Sequence, residues 1–197
     1  MKHCILAILL CVSCTLLASG NTLYSFPGGK YGKGPGLTVN GKTIDFAPVS
    51  RMYIDQKFDP AGGCLELTAK FRPVKMSEKK SYLHYLWSAS GHKRTVASGV
   101  ITENNGLFIL NFYVFDSNKK PISCACKLKL PSDKSVKLSF IWNKNSISIK
   151  VNGILFAKKN YQGQLQSGSK FLIGTAQPNR ALIPMTLEAV RLFRAVK

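Results

Sequence analysis

The sequence predicts an all-β protein, an antiparallel two-sheet sandwich of the jelly-roll kind, and three observations carry that expectation. Short runs of β-branched and aromatic residues recur along the chain, each bounded by turn residues. Asn-Gly pairs stand between several of these runs, as two-residue hairpins require. Helical periodicity is nearly absent, which leaves no crossover helices to build a parallel sheet.

The runs fall at residues 65–71 (LELTAKF), 82–88, 96–102, 107–115, 122–130, 136–142, 146–151 and 155–159. Asn152-Gly153 lies between SISIKV and ILFAKK, and Asn105-Gly106 between VITE and LFILNF. Both pairs suit a turn whose central residues need positive φ. In residues 136–142 and 147–151 apolar and polar side chains alternate, so each of these strands turns one face to a core and the other outward.

The first twenty residues, MKHCILAILLCVSCTLLASG, have Lys2 ahead of an apolar run and a small-residue boundary at Ala18 and Gly20. This is the pattern of an export signal over 1–20. A single domain is then expected over 21–197, secreted or held in the periplasm or at the cell surface. The segment Leu10-Cys11-Val12-Ser13-Cys14 resembles a bacterial lipobox, so lipidation at Cys14 is the route by which the chain would meet a membrane.

Charge is the strongest compositional feature: 28 Lys and Arg against 9 Asp and Glu give a formal net charge of +19. A field of that sign favours an anionic partner, and it also serves solubility alone. Of the six cysteines, Cys64, Cys124 and Cys126 follow the leader. Cys124 and Cys126 are two apart in an alternating run and share an apolar face. Buried thiols are one reading of them. A disulfide from Cys64 to Cys124 or Cys126 is the other, and it suits an exported chain. One C-x-C and distant histidines do not make a zinc site.

The order of the segments resembles the bacterial laminin G-like members of the concanavalin A-like superfamily over nearly all of residues 21–197. Phe26-Pro27-Gly28-Gly29-Lys30-Tyr31-Gly32-Lys33 is similar to the family's opening segment, LELTAKFRP to its first central strand, and Leu86-Trp87-Ser88 with Gly91 to the next strand and turn. Residues 136–151 with Asn152-Gly153 resemble its paired strands and hairpin. Residues 171–174 and 187–193 resemble its closing strands. Many members carry Asp-Asp or Asp-Glu before a closing Val-Arg pair. Here Glu188-Ala189 stands instead, so the resemblance implies Glu188 as the one candidate calcium ligand.

Residues 36–43 match the phosphate-loop pattern G-x-x-x-x-G-K-[ST] but precede Ile44-Asp45-Phe46-Ala47-Pro48, where an early Pro interrupts the helix that the motif needs. A hairpin at Asn40-Gly41 is expected instead. A glycosidase needs two neighbouring carboxylates, and no such cluster is present; Asp55 and Asp59, the nearest pair, read as turn formers. A lyase would use Tyr or His as base, which keeps His84 and His92 in view. Sugar binding needs an aromatic platform with polar flanks, and Tyr85, Trp87, His92, Lys93 and Arg94 lie on one strand and its following loop. Core packing is the competing reading of Trp87.

The function expected is that of an exported, non-catalytic module binding carbohydrate, with a preference for acidic polysaccharide and no required cofactor. A protein-binding or adhesion module is the alternative, and a polysaccharide lyase or glycosidase the second. Nucleic acid is not the partner expected, because the chain has neither a recognition helix nor a compact basic-aromatic motif.

Overall fold

In the computed structural model the residues described are 22–47, 50–72, 82–91, 94–104, 107–131, 134–174 and 184–194. They form β1 (Thr22–Phe26), β2 (Gly32–Lys33), β3 (Leu37–Asn40), β4 (Thr43–Phe46), β5 (Arg51–Ile54), β6 (Gly62–Phe71), β7 (Tyr82–Ser90), β8 (Thr95–Asn104), β9 (Leu107–Phe115), β10 (Pro121–Leu128), β11 (Val136–Asn143), β12 (Ser146–Val151), β13 (Ile154–Asn160), β14 (Lys170–Gly174) and β15 (Met185–Arg194).

The strands make two antiparallel sheets. The larger runs β13-β12-β11-β6-β15-β4-β3, with β1 also paired to β15; the smaller runs β10-β9-β8-β7-β14-β5-β2. This is the two-sheet sandwich that the alternation predicts. The Asn152-Gly153 hairpin forms as expected, with φ of 51° and 85° at its two central residues. The β3–β4 hairpin also replaces the apparent phosphate loop. Its register pairs Asn40 with Thr43, so the central residues are Gly41 and Lys42, one position later than the sequence suggests. The Asn105-Gly106 pair lies outside the described residues.

Period-two side-chain placement fills the space between the sheets. From the larger sheet come Leu65, Leu67, Ala69, Phe71, Leu138, Phe140, Trp142, Ile147 and Ile149; from the smaller come Trp87, Leu110, Phe112, Val114, Phe171 and Ile173. Rings meet across the gap where the Trp87 centroid lies 5.3 Å from Phe140, and within the smaller sheet Trp87 lies 5.8 Å from Phe112 and 5.8 Å from Phe171. Burying one such ring contributes on the order of 2 kcal/mol. Gly99 makes the arrangement possible, since a Cβ there would lie 2.1 Å from Trp87 Nε1.

The cysteines do not pair as one reading of the sequence allowed. Cys64, Cys124 and Cys126 are all free thiols. Cys64 lies on β6 of the larger sheet, out of phase with the inward Leu65 and Leu67, whereas Cys124 faces inward from β10 at the far edge of the smaller sheet. Burial holds the proton on each: it raises Cys64 and Cys124 to about 12, and pushes Cys126 upward.

Two outcomes follow from this packing. Gly99→Ala overpacks the Trp87 site and is expected to lower unfolding free energy by about 1–3 kcal/mol, read from denaturant melts. Iodoacetamide at pH 8 is expected to label Cys64 and Cys124 slowly in the native protein, because the thiolate fraction is small well below a pKa of about 12. All three thiols are expected to label in denaturant without reductant, as mass spectrometry of the alkylated peptides would show.

Candidate functional site

One end of the sandwich gathers the β5–β6 connection, the β11–β12 turn, the β13–β14 connection and the end of β15. Between them lies an open groove of about 1370 Å³. Among the described residues its cations are Lys144, Lys158 and Arg194, and its one carboxylate is Asp59. Asn143, Asn145, Asn160 and Gln162 add amides.

Each wall is fixed by local chemistry. Asn143 Oδ1 accepts from the backbone N–H of Asn145 at 2.9 Å and of Ser146 at 2.8 Å, closing the β11–β12 turn that presents Lys144. Tyr161 braces that turn from the opposite strand end: its N–H donates to Asn145 O at 2.9 Å and its hydroxyl donates to Asn143 O. The ring packs against the core, and burial pushes the phenol up to about 12. At neutral pH Tyr161 is therefore a neutral donor rather than a base.

The β5–β6 connection is tied to the core below it. Phe58 stacks on Trp142 with ring centroids 4.7 Å apart, and Trp142 Nε1 donates to Asp59 O at 2.7 Å. Asp59 Oδ1 accepts from Ala61 N–H at 2.9 Å, and Oδ2 lies 3.7 Å from Arg194 Nε. The only groove carboxylate is thus occupied twice over, which leaves Lys144 and Lys158 facing no acid in the groove. Sequence explains the imbalance, because no Asp or Glu occurs between Asp133 and Glu188. A second depression shares Asp59 and Arg194 and runs to Gly91 and residues 167–169.

The residues expected from the sequence are only partly brought to this end. Trp87 is corrected: it is fully buried among Phe112, Phe140 and Phe171 and offers no face to a ligand. Tyr85 is half-buried on β7 and is not a groove residue. Arg94 is exposed in the β7–β8 turn, where its carbonyl accepts from Gly91 N–H at 2.7 Å, so its turn borders the second depression. His92 and Lys93 lie outside the described residues. His84 is buried 3.4 Å from Glu103 in the interior, which removes it as a base for bound substrate.

Glu188 is also engaged, accepting from Ser135 Oγ at 2.7 and 2.8 Å and lying 3.7 Å from Lys70 Nζ. Among the described residues no His, Cys, Asp or Glu grouping could hold a metal ion. Sequence reasoning missed Lys144, Lys158, Tyr161 and Arg194. The acid-free stretch after Asp133 was the available signal for the first three.

The arrangement can neutralise an anion and offer donors and acceptors to a hydroxyl-rich ligand. No protein-family profile matches the chain, and no curated protein is similar to it in sequence. Its fold is similar to that of the botulinum neurotoxin serotype G binding domain, with a TM-score of 0.67 and 11% identity over 90% of this chain and 49% of that one. The chain thus spans about half the length of that toxin domain. It is also similar to the alginate lyase of Alteromonas sp. 272, with a TM-score of 0.56 and 12% identity over 85% of this chain and 95% of that one. The Emp47p carbohydrate recognition domain aligns with a TM-score of 0.53 and 10% identity over 84% of this chain and 89% of that one. At these identities the likeness shows a fold, and the fold is a concanavalin A-like β-sandwich.

Proposed function

We propose that this chain is an exported, non-catalytic module of the laminin G-like kind that binds acidic polysaccharide in the groove between Lys144, Lys158 and Arg194. The observation that carries the reading is the charge of the groove: three cations stand against one carboxylate, and that carboxylate is already held by Arg194 and its own loop. The amides of Asn143, Asn145, Asn160 and Gln162 suit sugar hydroxyls. A carbohydrate recognition domain among proteins of the same fold supports the class of ligand.

The aromatic platform first expected is absent from the groove, whose single ring is the braced Tyr161. Binding then rests on ion pairing and hydrogen bonds rather than on ring stacking, and it weakens as salt rises. The absence of a second groove carboxylate and the raised Tyr161 pKa support binding over glycosidic cleavage. Calcium has no role in this reading.

The test is titration against uronate-rich and sulfated glycans, with neutral glycans as control. Tight binding of the acidic glycans that fades from about 0.05 to 0.5 M salt is expected. Lys144→Gln/Lys158→Gln/Arg194→Gln is expected to weaken it roughly tenfold, at about 0.5 kcal/mol for each exposed contact. Lys33→Gln/Lys42→Gln/Lys127→Gln removes the same charge from exposed positions outside the groove and is expected to leave affinity within about twofold. Equal losses in the two variants would overturn the site. Unsaturated uronate ends released from alginate would overturn the non-catalytic assignment.

A further inference from the structure

The opposite end of the β12–β13 hairpin carries a second feature, independent of the groove. Three consecutive large apolar side chains stand in solvent: Ile154 is 66% exposed, Leu155 53% and Phe156 51%. The other exposed large apolar residues among those described, Val39, Tyr53 and Leu107, are less exposed and dispersed in sequence.

A register break explains how neighbours on one strand can all be exposed. In the β12–β13 ladder Lys150 pairs with Leu155 and Ile149 with Ala157, so Phe156 is the extra residue of a bulge. β13 is also the edge strand of the larger sheet. The turn beneath is held without these side chains, because Asn152 N–H donates to Lys137 O at 2.8 Å and Asn152 Oδ1 accepts from Lys137 N–H at 2.9 Å. The turn that carries the apolar tip is therefore tied to the start of β11.

Its surroundings are basic. Lys159 follows on the same strand, Lys150 is the cross-strand partner of Leu155, and Lys134 is exposed just ahead of β11. No acidic residue occurs from Lys134 through β13, and the carboxylate that reaches Ser135 at the start of this segment, Glu188, is paired with Lys70. A second copy of a chain carrying +19 would be repelled from such a surface, whereas an anionic one would be drawn to it.

We propose that the β12–β13 hairpin tip docks on a lipid bilayer bearing anionic headgroups, with Ile154, Leu155 and Phe156 entering the interface and the lysines facing the headgroups. Short apolar projections flanked by Lys satisfy both requirements of interfacial attachment, buried apolar area and attraction to acidic lipid. The proposal does not depend on the glycan reading, since Ile154, Leu155 and Phe156 line no part of the groove.

The experiment uses the chain from Asn21, which keeps every described strand and removes the apolar residues of 1–20 as a competing anchor. Co-sedimentation is measured with phosphatidylserine–phosphatidylcholine vesicles and with phosphatidylcholine vesicles. Binding to the acidic vesicles alone is expected, reduced by high salt. Ile154→Ser/Leu155→Ser/Phe156→Ser leaves the charge unchanged and is expected to lower partitioning at least about tenfold with an unchanged melting temperature. In a second measurement, Phe156→Trp is expected to give emission quenched by brominated acyl chains, while the buried Trp87 and Trp142 of the parent chain are not. Absence of vesicle binding would overturn the proposal, as would equal binding by parent and triple variant or an unquenched Trp at 156. A dimer in sedimentation velocity that the triple variant dissolves would overturn it in favour of a second copy.

Discussion

The stacked pair Phe58 and Trp142 sets what the rest of the molecule can do. Trp142 comes from the larger sheet and lies within 6.4 Å of Phe171 in the smaller, so it belongs to the seam that joins the layers. The same indole donates to Asp59 O, and Phe58 lies flat against it. Interior packing and loop placement are thereby one interaction. A loop that carries the one groove carboxylate among the described residues is held by the buried interior, and Arg194 and the β11–β12 turn close around it. Loss of that contact would release the groove wall while leaving the remaining rings to hold the sheets.

Much of the architecture could be read from residues. The strands over 107–115 and 146–151 form with the bounds that their alternation suggests, and Asn152-Gly153 turns as its chemistry requires. The shortest strands were harder. β2 is Gly32–Lys33, with no apolar side chain to mark it, and exists because β5 lies beside it. The site was less legible for a related reason. An aromatic strand residue reads equally as core or as platform, and Trp87 is settled only by Gly99, which a distant register places under its ring. Lys144, Lys158 and Arg194 belong to three different strand ends, and topology alone brings them to one groove.

The distribution of charge has a physical logic of its own. Three acidic residues are spent on the outer surface of the larger sheet, where Glu66 meets Lys137, Glu188 meets Lys70 and Asp45 meets Arg72. The hairpin unit from β11 through β13 carries none. Its field is therefore one-signed from the groove at one end to the turn at the other, and the two ends differ in what accompanies the lysines. Amides line the first and aliphatic and aromatic carbon the second. One basic edge can thus serve two distinct contacts without either borrowing the residues of the other.

The position of β15 bears on how the chain reaches this state. It lies inside the larger sheet, hydrogen-bonded to β6 along one side and to β4 and then β1 along the other. Until residues 185–194 have left the ribosome, β1, β3 and β4 have no neighbour joining them to the remainder of that sheet. Most of the ladder is closed by contacts between segments far apart in sequence, a topology that folds slowly. Among the described strands, the last in chain order is thus the one that closes the larger sheet.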